Sequence, residues 1–541
     1  MKFNRRKFLH GTLAAGAVMA TAKSAPLAIA DEIGGSAVGD DFPWLEATID
    51  QLQAAMAAGT LTAVALTQAY LDRIAALDQA GPKLNAVIEL NPDALAQARA
   101  ADQARAAGNL QGALHGIPVL VKDNLDSADR MHTTAGSLAL LAGKPLQDST
   151  VVGQLRKAGA VLLGKTNLSE WANFRSTHSI SGWSGRGGQT HNPYALDRNT
   201  SGSSSGTGAA VSANLCAVGI GTETDGSIVS PASVCGIVGV KPTVGLVSRA
   251  GIIPISASQD TAGPMARTVR DAAHLLTVMA SSDERDSATK QGRPQNLPTD
   301  YSVGLDGPAL SGARLGLLRE GFALHPRLDP LLNEAVTALR TAGAEVIEPI
   351  RIPDMGTFGD AEFEVLLYEY KVGLNAYFAS LGPNAPIKSL EELIAFNRAN
   401  RATELKYFEQ ELLEQAQAKG PLTEQAYLDA RAKCLQISRT DGIDAALAEH
   451  KLDALIMVTN GPAWLIDPVN GDSYTGGSSS WAAVSGYPSI TVPMGLVMGL
   501  PAGLSFTGAA WSEARLLALA ADFERHTRAR RLPKFLATLP V

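Results

Sequence analysis

The chain has 541 residues, of which 45% are hydrophobic and 5% aromatic, and its formal net charge is −7. That is ample apolar material for a large core, while the few aromatics and the acidic balance argue against binding nucleic acid or an anionic membrane surface. The acidity deepens beyond residue 30: residues 1–30 hold five basic and no acidic side chains, which leaves 41 Lys and Arg against 53 Asp and Glu.

In chain order, Asn4-Arg5-Arg6-Lys7-Phe8-Leu9 precedes a mildly apolar stretch from Leu13 to Ala22, and Ala28-Ile29-Ala30 follows before Asp31. A basic start, a short apolar segment and an A-x-A site predict that residues 1–30 are a signal peptide. The paired arginines make it the twin-arginine type. The expectation is an exported, periplasmic protein whose transient partner is the twin-arginine machinery. No apolar run of membrane-spanning length follows, so no membrane partner is expected of the mature chain. Residues 31–43 read as a flexible leader and 44–541 as one catalytic domain.

Leu66, Tyr70, Ile74 and Leu77 recur at helical spacing and stop at Gly81-Pro82; Asn91-Pro92 opens a second helix that ends near Gly108. Ile117–Val121 and Val161–Leu163 read as buried strands, with a helix from Thr150 to Ala158 between them. Further short apolar runs lie at Val218–Ile220, Ile237–Val240, Leu315–Leu318, Val346–Ile350, Leu455–Val458 and Ser489–Val492. This alternation, with few hairpin signals, predicts an α/β fold: a single large domain with a mixed, mostly parallel central sheet covered by helices on both faces. From about 363 to 450 the pattern turns helical and charged, as an insertion or cap on that sheet. Cys216, Cys235 and Cys434 show no C-x-x-C spacing and read as buried free thiols.

Three residues stand out chemically. Ser227 lies in Gly221-Thr-Glu-Thr-Asp-Gly-Ser227-Ile, Ser203 in Ser201-Gly-Ser-Ser-Ser-Gly206, and Lys122 ends the run I-P-V-L-V-K. Together they offer a nucleophilic hydroxyl, a relay hydroxyl and an amine, an acyl-transfer set without histidine. The N–H groups of Thr224, Asp225, Gly226 and Ser227 can curl into a nest for a negative oxygen. Each residue has a plainer alternative: a Gly/Ser turn for Ser227, a linker or helix N-cap for Ser203, an exposed strand-end lysine for Lys122. Only a buried lysine, with its pKa drawn down to about 7–8, accepts a proton at neutral pH. A rival scheme takes Gly202-Ser-Ser204-Ser-Gly206 as a nucleophile elbow. It needs a downstream histidine, His450 or His526, and a strand leading into Gly202, where Asn192-Pro-Tyr-Ala reads instead as a loop.

The order of these segments carries further information. L-H-G-I-P-V-L-V-K122-D-N, L-G-K-T-N-L-S-E-W, G-S203-S-S-G, G-T-E-T-D-G-S227-I-V-S-P-A-S-V-C-G-I-V-G-V-K-P-T, S-Q-D-T-A-G-P-M-A-R and G-Y-P-S-I-T-V-P-M-G resemble the amidase signature family along nearly all of the chain after the leader. E-T-D-G-S-I-V, N-L-S-E-W-A-N-F-R and G-L-V-S-R-A-G-I-I-P-I-S look more narrowly like bacterial peptide amidases, which cleave C-terminal carboxamides from peptides. The resemblance implies that Ser227 is the acyl-accepting nucleophile, Ser203 a bridging serine in a cis peptide bond, and Lys122 the ultimate base, with no metal or organic cofactor. It also implies a small peptide amide as substrate, bound near Asn173 and Trp464. Asp225 stands where glycine is usual in the family and Val229 where arginine is usual, which suits the peptide amidases and weakens transfer of specificity from other members. Two alternatives stay open: an amidase of small aliphatic or aryl amides, and an exported peptide-binding protein without turnover.

Overall fold

Eleven strands make one central sheet in the computed structural model, which describes residues 42–319, 325–353 and 355–540. The predicted signal peptide, and the leader up to residue 41, lie outside the described residues. The strands are β1 Val87–Leu90, β2 Pro118–Lys122, β3 Val161–Thr166, β4 Val218–Glu223, β5 Val238–Lys241, β6 Thr261–Ala266, β7 Arg314–Leu317, β8 Glu345–Ile347, β9 Ala454–Val458, β10 Ser489–Val497 and β11 Leu500–Thr507. Across the sheet they run β1-β3-β2-β4-β6-β5-β10-β11-β9-β7-β8. Every residue of β2, β3, β4 and β11 is buried, as expected of strands covered on both faces.

The large α/β domain with a mixed, helix-flanked sheet agrees with expectation; the predominance of parallel pairing does not. Four neighbouring pairs are parallel (β2 with β3 and β4, β7 with β8 and β9) and six are antiparallel. The physical reason lies in three strands that carry weak strand signals. Thr-Ala-Gly-Pro-Met-Ala in β6 and Leu-Pro-Ala-Gly-Leu-Ser-Phe-Thr in β11 are broken by Gly and Pro, and β1 is only four residues long. Those three take part in five of the six antiparallel ladders. Met498 and Gly499, both at positive φ, turn β10 back into β11 as a tight hairpin.

Two short helices are threaded against the middle of the sheet. Ser205–Ser212 packs on β4, β2 and β3, and Val229–Val234 packs on β5, β10 and β11. Both are buried along their whole length, which their small residues (SGTGAAVS and VSPASV) permit. Between β8 and β9 the described chain is helical, with Gly359–Ser380, Leu390–Ala399, Glu411–Gln417 and Gln425–Leu435 as its main elements. Leu367, Tyr370, Leu374, Phe378, Leu393 and Leu413 from this stretch share a second apolar cluster with Leu168, Trp171 and Ile253 of the loops beyond the sheet. All three cysteines are free and buried.

Candidate active site

Lys122 is carried inside by its strand. Val119, Leu120 and Val121 are fully buried, and Lys122, the last residue of β2, has no exposed surface either. Its Nζ touches three oxygens: Ser203 Oγ at 2.7 Å, Thr222 Oγ1 at 2.9 Å and the Thr222 carbonyl at 3.3 Å. Burial is the main influence and lowers its pKa from 10.5 to about 7, against the opposing pull of Glu223 and Asp260. A neutral amine has two N–H bonds and one lone pair. With the two Thr222 oxygens accepting the N–H bonds, the lone pair is left for the Ser203 hydroxyl.

The serine-rich loop is no linker. Ser203, Ser204 and Ser205 are fully buried, and the loop is hydrogen-bonded on all sides. Ser169 N–H donates to the Ser203 carbonyl (3.1 Å) and Ser204 N–H to the Ser227 carbonyl (3.1 Å), which ties the two serine segments together. The Gly202–Ser203 peptide bond is cis. Glycine is required at 202, because a Cβ there would lie 2.1 Å from Ser169 Oγ. Ser204 is spent on the scaffold: its Oγ donates to the Thr222 carbonyl (3.0 Å) and accepts from Thr222 N–H (3.2 Å). Neither His450 nor His526 is a partner of it; His450 lies beside Arg314, and His526 bonds within its own helix. The geometry contains no nucleophile elbow at Ser204.

Ser227 follows β4 in a turn that opens the helix Val229–Val234. Glu223, the last residue of β4, reaches over this turn and accepts the N–H groups of Ile228 (2.7 Å) and Val229 (2.9 Å), a carboxylate placed at a helix start. Gly226 has φ +78°, and a Cβ there would lie 2.8 Å from Ser479 Oγ, so glycine satisfies both the backbone and the space. Thr224 Oγ1 donates to Asp260 (2.6 Å), and Asp225 accepts from Ser480 Oγ (2.6 Å) and from Ser479 Oγ. The N–H groups of Asp225, Gly226 and Ser227 have no acceptor among the described residues.

These residues line a cavity of about 490 Å³. Thr224, Asp225, Gly226 and Ser227 form one side; Asn173, Trp464, Asp472 and Tyr474 are on its wall. Ser227 keeps 7% of its surface exposed, whereas Ser203 and Lys122 are fully buried. The predicted catalytic residues are therefore arranged in depth, with Ser227 at the cavity and Ser203 and Lys122 buried. Asn173 is presented by three successive left-handed residues, Trp171, Ala172 and Asn173 (φ 48°, 56° and 71°). Asparagine adopts that region readily, whereas Trp171 and Ala172 each cost about 1–2 kcal/mol there; Trp171 packs edge-on to Phe378. Asn173 Nδ2 donates to Ser181 Oγ (3.1 Å), and Trp464 Nε1 donates to Asp472 (3.0 Å). Among the described residues no group of His, Cys, Asp and Glu has the arrangement of a metal site.

Sequence reasoning passed over Thr222, Glu223, Gln259, whose Nε2 donates to the Thr224 carbonyl (3.3 Å), and Glu362, which accepts from the same Nε2 (2.9 Å). The first two lie inside the G-T-E-T-D-G-S segment, where an acid closing an apolar strand was a usable signal. Gln259 and Glu362 carry none, because their contacts are long-range.

A family model described as amidase matches residues 65–517. A probable amidase of Arabidopsis thaliana is 42% identical over 504 residues, covering 92% of this chain and 93% of the relative. The crystal structure of native peptide amidase from Stenotrophomonas maltophilia superposes with a TM-score of 0.88 at 54% identity, covering 91% of this chain and 99% of that one. The complex of peptide amidase with the competitive inhibitor chymostatin gives the same TM-score and coverage at 55% identity.

Proposed function

This chain belongs to the amidase signature family and is an amide-hydrolysing enzyme; from that premise we propose that it cleaves the C-terminal carboxamide of peptides to the free acid and ammonia, using Lys122, Ser203 and Ser227. The observation that carries the catalytic part is a buried amine set 2.7 Å from a buried hydroxyl, behind a serine that lines the cavity.

In the proposed cycle neutral Lys122 takes the Ser203 proton while Ser203 takes that of Ser227. Ser227 Oγ bonds to the amide carbon, and the carbonyl electron pair moves to the oxygen, which the N–H groups of the 224–227 turn receive. The proton returns from Lys122 through Ser203 to the nitrogen, the C–N bond breaks and ammonia leaves. Water then attacks the acyl-enzyme, giving its proton to the same relay, and Ser227 is released with its own proton restored. One well-aimed oxyanion donor lowers such a barrier by about 3–4 kcal/mol.

The charge of the cavity supports an amide over an acid as ligand. Its wall includes the carboxyl groups of Asp225 and Asp472 and no Lys, Arg or His among the described residues. A substrate carboxylate at the reacting position meets no countercharge, so the uncharged carboxamide binds and the acid product is released. The support for the peptide part is the likeness to a peptide amidase held by chymostatin. Export through residues 1–30 is proposed on the sequence; N-terminal sequencing of protein recovered from the periplasm checks it, and an intact Met1 there would remove it.

The test is ammonia release from an N-protected dipeptide amide, with acetamide and benzamide as comparators. The expected result is a kcat/KM for the dipeptide amide at least about tenfold above both. Higher values for the small amides would replace the peptide assignment with the small-amide one. Binding of the dipeptide amide without any ammonia would point to a binding protein.

A further inference from the structure

An oxyanion site made of backbone N–H groups works only if the peptide planes are turned the right way, and a trans peptide points its N–H opposite to its C=O. In the turn before Ser227 the Thr224 carbonyl accepts from Gln259 Nε2 at 3.3 Å. The Thr224–Asp225 plane therefore directs its N–H, on Asp225, away from Gln259. The Gly226 carbonyl accepts from Ser230 N–H at 2.8 Å, which likewise turns the Ser227 N–H away from the helix.

Gln259 is itself held. Its Nε2 also donates to Glu362 Oε1 at 2.9 Å, and Glu362 lies in the first turn of the helix Gly359–Ser380. Burial first, and the adjacent Asp225 second, raise the Glu362 carboxyl well above the usual range, and burial raises Asp225 as well, as two neighbouring buried acids require. Asp225 accepts from two donors, Ser479 Oγ and Ser480 Oγ.

We propose that Gln259 and Glu362 are positioning residues for the oxyanion-binding turn: Gln259 orients the Thr224–Asp225 peptide, and Glu362, seated between Gln259 and Asp225, holds both in place. This rests on the assignment of Ser227 as nucleophile. Neither side chain reaches the reacting atoms. Glutamine at 362 offers the same acceptor to Gln259 and an N–H donor to Asp225, whereas alanine offers neither.

The experiment compares kcat, KM and thermal unfolding of the full chain with those of Glu362→Gln, Glu362→Ala and Gln259→Leu, on an N-protected dipeptide amide. Losing one oxyanion donor costs about 10²–10³ in kcat, and a donor that is present but misdirected costs less. Glu362→Ala and Gln259→Leu are expected to lower kcat by about 10–100-fold with KM changed less than about threefold. Glu362→Gln is expected to restore kcat to within about threefold of the unmodified protein. A Glu362→Gln variant as slow as Glu362→Ala overturns the proposal, as does a loss carried by KM. If Glu362→Ala does not fold, Gln259→Leu decides, and an unchanged kcat there overturns it. Should the unmodified protein spare the dipeptide amide, the peptide assignment fails alone and the same series runs on benzamide. If Ser227→Ala retains activity, the positioning role falls with the nucleophile.

Discussion

Lys122 ends strand β2 and Lys241 ends strand β5, and neither has exposed surface. Burial dominates both and lowers them, Lys122 to about 7 and Lys241 to about 8. Their partners differ in kind. Lys241 Nζ donates to the carbonyls of Tyr487 (2.7 Å) and Pro242 (3.1 Å), oxygens that only accept, with the carboxyl groups of Glu223, Glu513 and Asp225 near enough to favour its charged form. Lys122 meets the hydroxyl of Ser203, which has a proton to give. Burial loosens the proton on both amines, but only Lys122 has a neighbour with which to exchange one. Lys241 is a clamp between the end of β5 and the segment before β10.

The comparison can be broken by substitution, starting where the effect is largest. Ser227→Ala is expected to lower ammonia release by about 10⁴-fold or more; a loss below about tenfold would remove Ser227 from the reaction. Lys122→Met should lower kcat by about 10³-fold without lowering the unfolding midpoint, since the burden of burying an amine is removed while the Thr222 carbonyl and Oγ1 keep Ser204 Oγ and Asn124 Nδ2 as donors. A large stability loss in this variant would make Lys122 a clamp as well. Lys241→Met should do the reverse: unfolding stability falls by about 1–3 kcal/mol, because two buried carbonyls lose their donor, while kcat stays within severalfold. Both lysines bind fewer protons folded than unfolded, from about 7 or 8 up to the ordinary lysine value near 10.5. Each therefore makes stability rise with pH across that window, and each Met variant should lose its share of the rise in denaturant titrations. The smallest effect on kcat is expected for Ser204→Ala, which takes the partner from the Thr222 N–H and leaves its C=O with Lys122 alone, but removes no reacting group; loss of all activity there would revive the elbow at Gly202–Gly206.

Much of this arrangement was legible in the sequence, and the gaps have physical causes. Buried strands such as Ile117–Val121 announce themselves as apolar runs, and the Lys122, Ser203 and Ser227 segments combine a reactive residue with glycines that let backbone approach. The strands β6 and β11 did not, since Gly and Pro mask their strand character, and with them went the antiparallel half of the sheet. The Ser-rich segment looked soluble and loose, yet its serines are buried because their hydroxyls are matched one by one: Ser205 with the Ser201 carbonyl, Ser201 with Ser230, Ser204 with Thr222. Asp225 was recognisable as an acid beside the nucleophile, but not its hydrogen-bond partners, which come from residues 479 and 480. Glu362 stands 103 residues from Gln259 along the chain, and no local pattern marks such a pair.

The most direct test of the account is the pH dependence of kcat/KM for a dipeptide amide. Protonated Lys122 has no lone pair with which to take the Ser203 proton. The account therefore predicts that kcat/KM falls about tenfold per pH unit below an apparent pKa near 7 and levels off above it. A flat profile from pH 5.5 to 9, or a limb that persists unchanged in Lys122→Met, would contradict it.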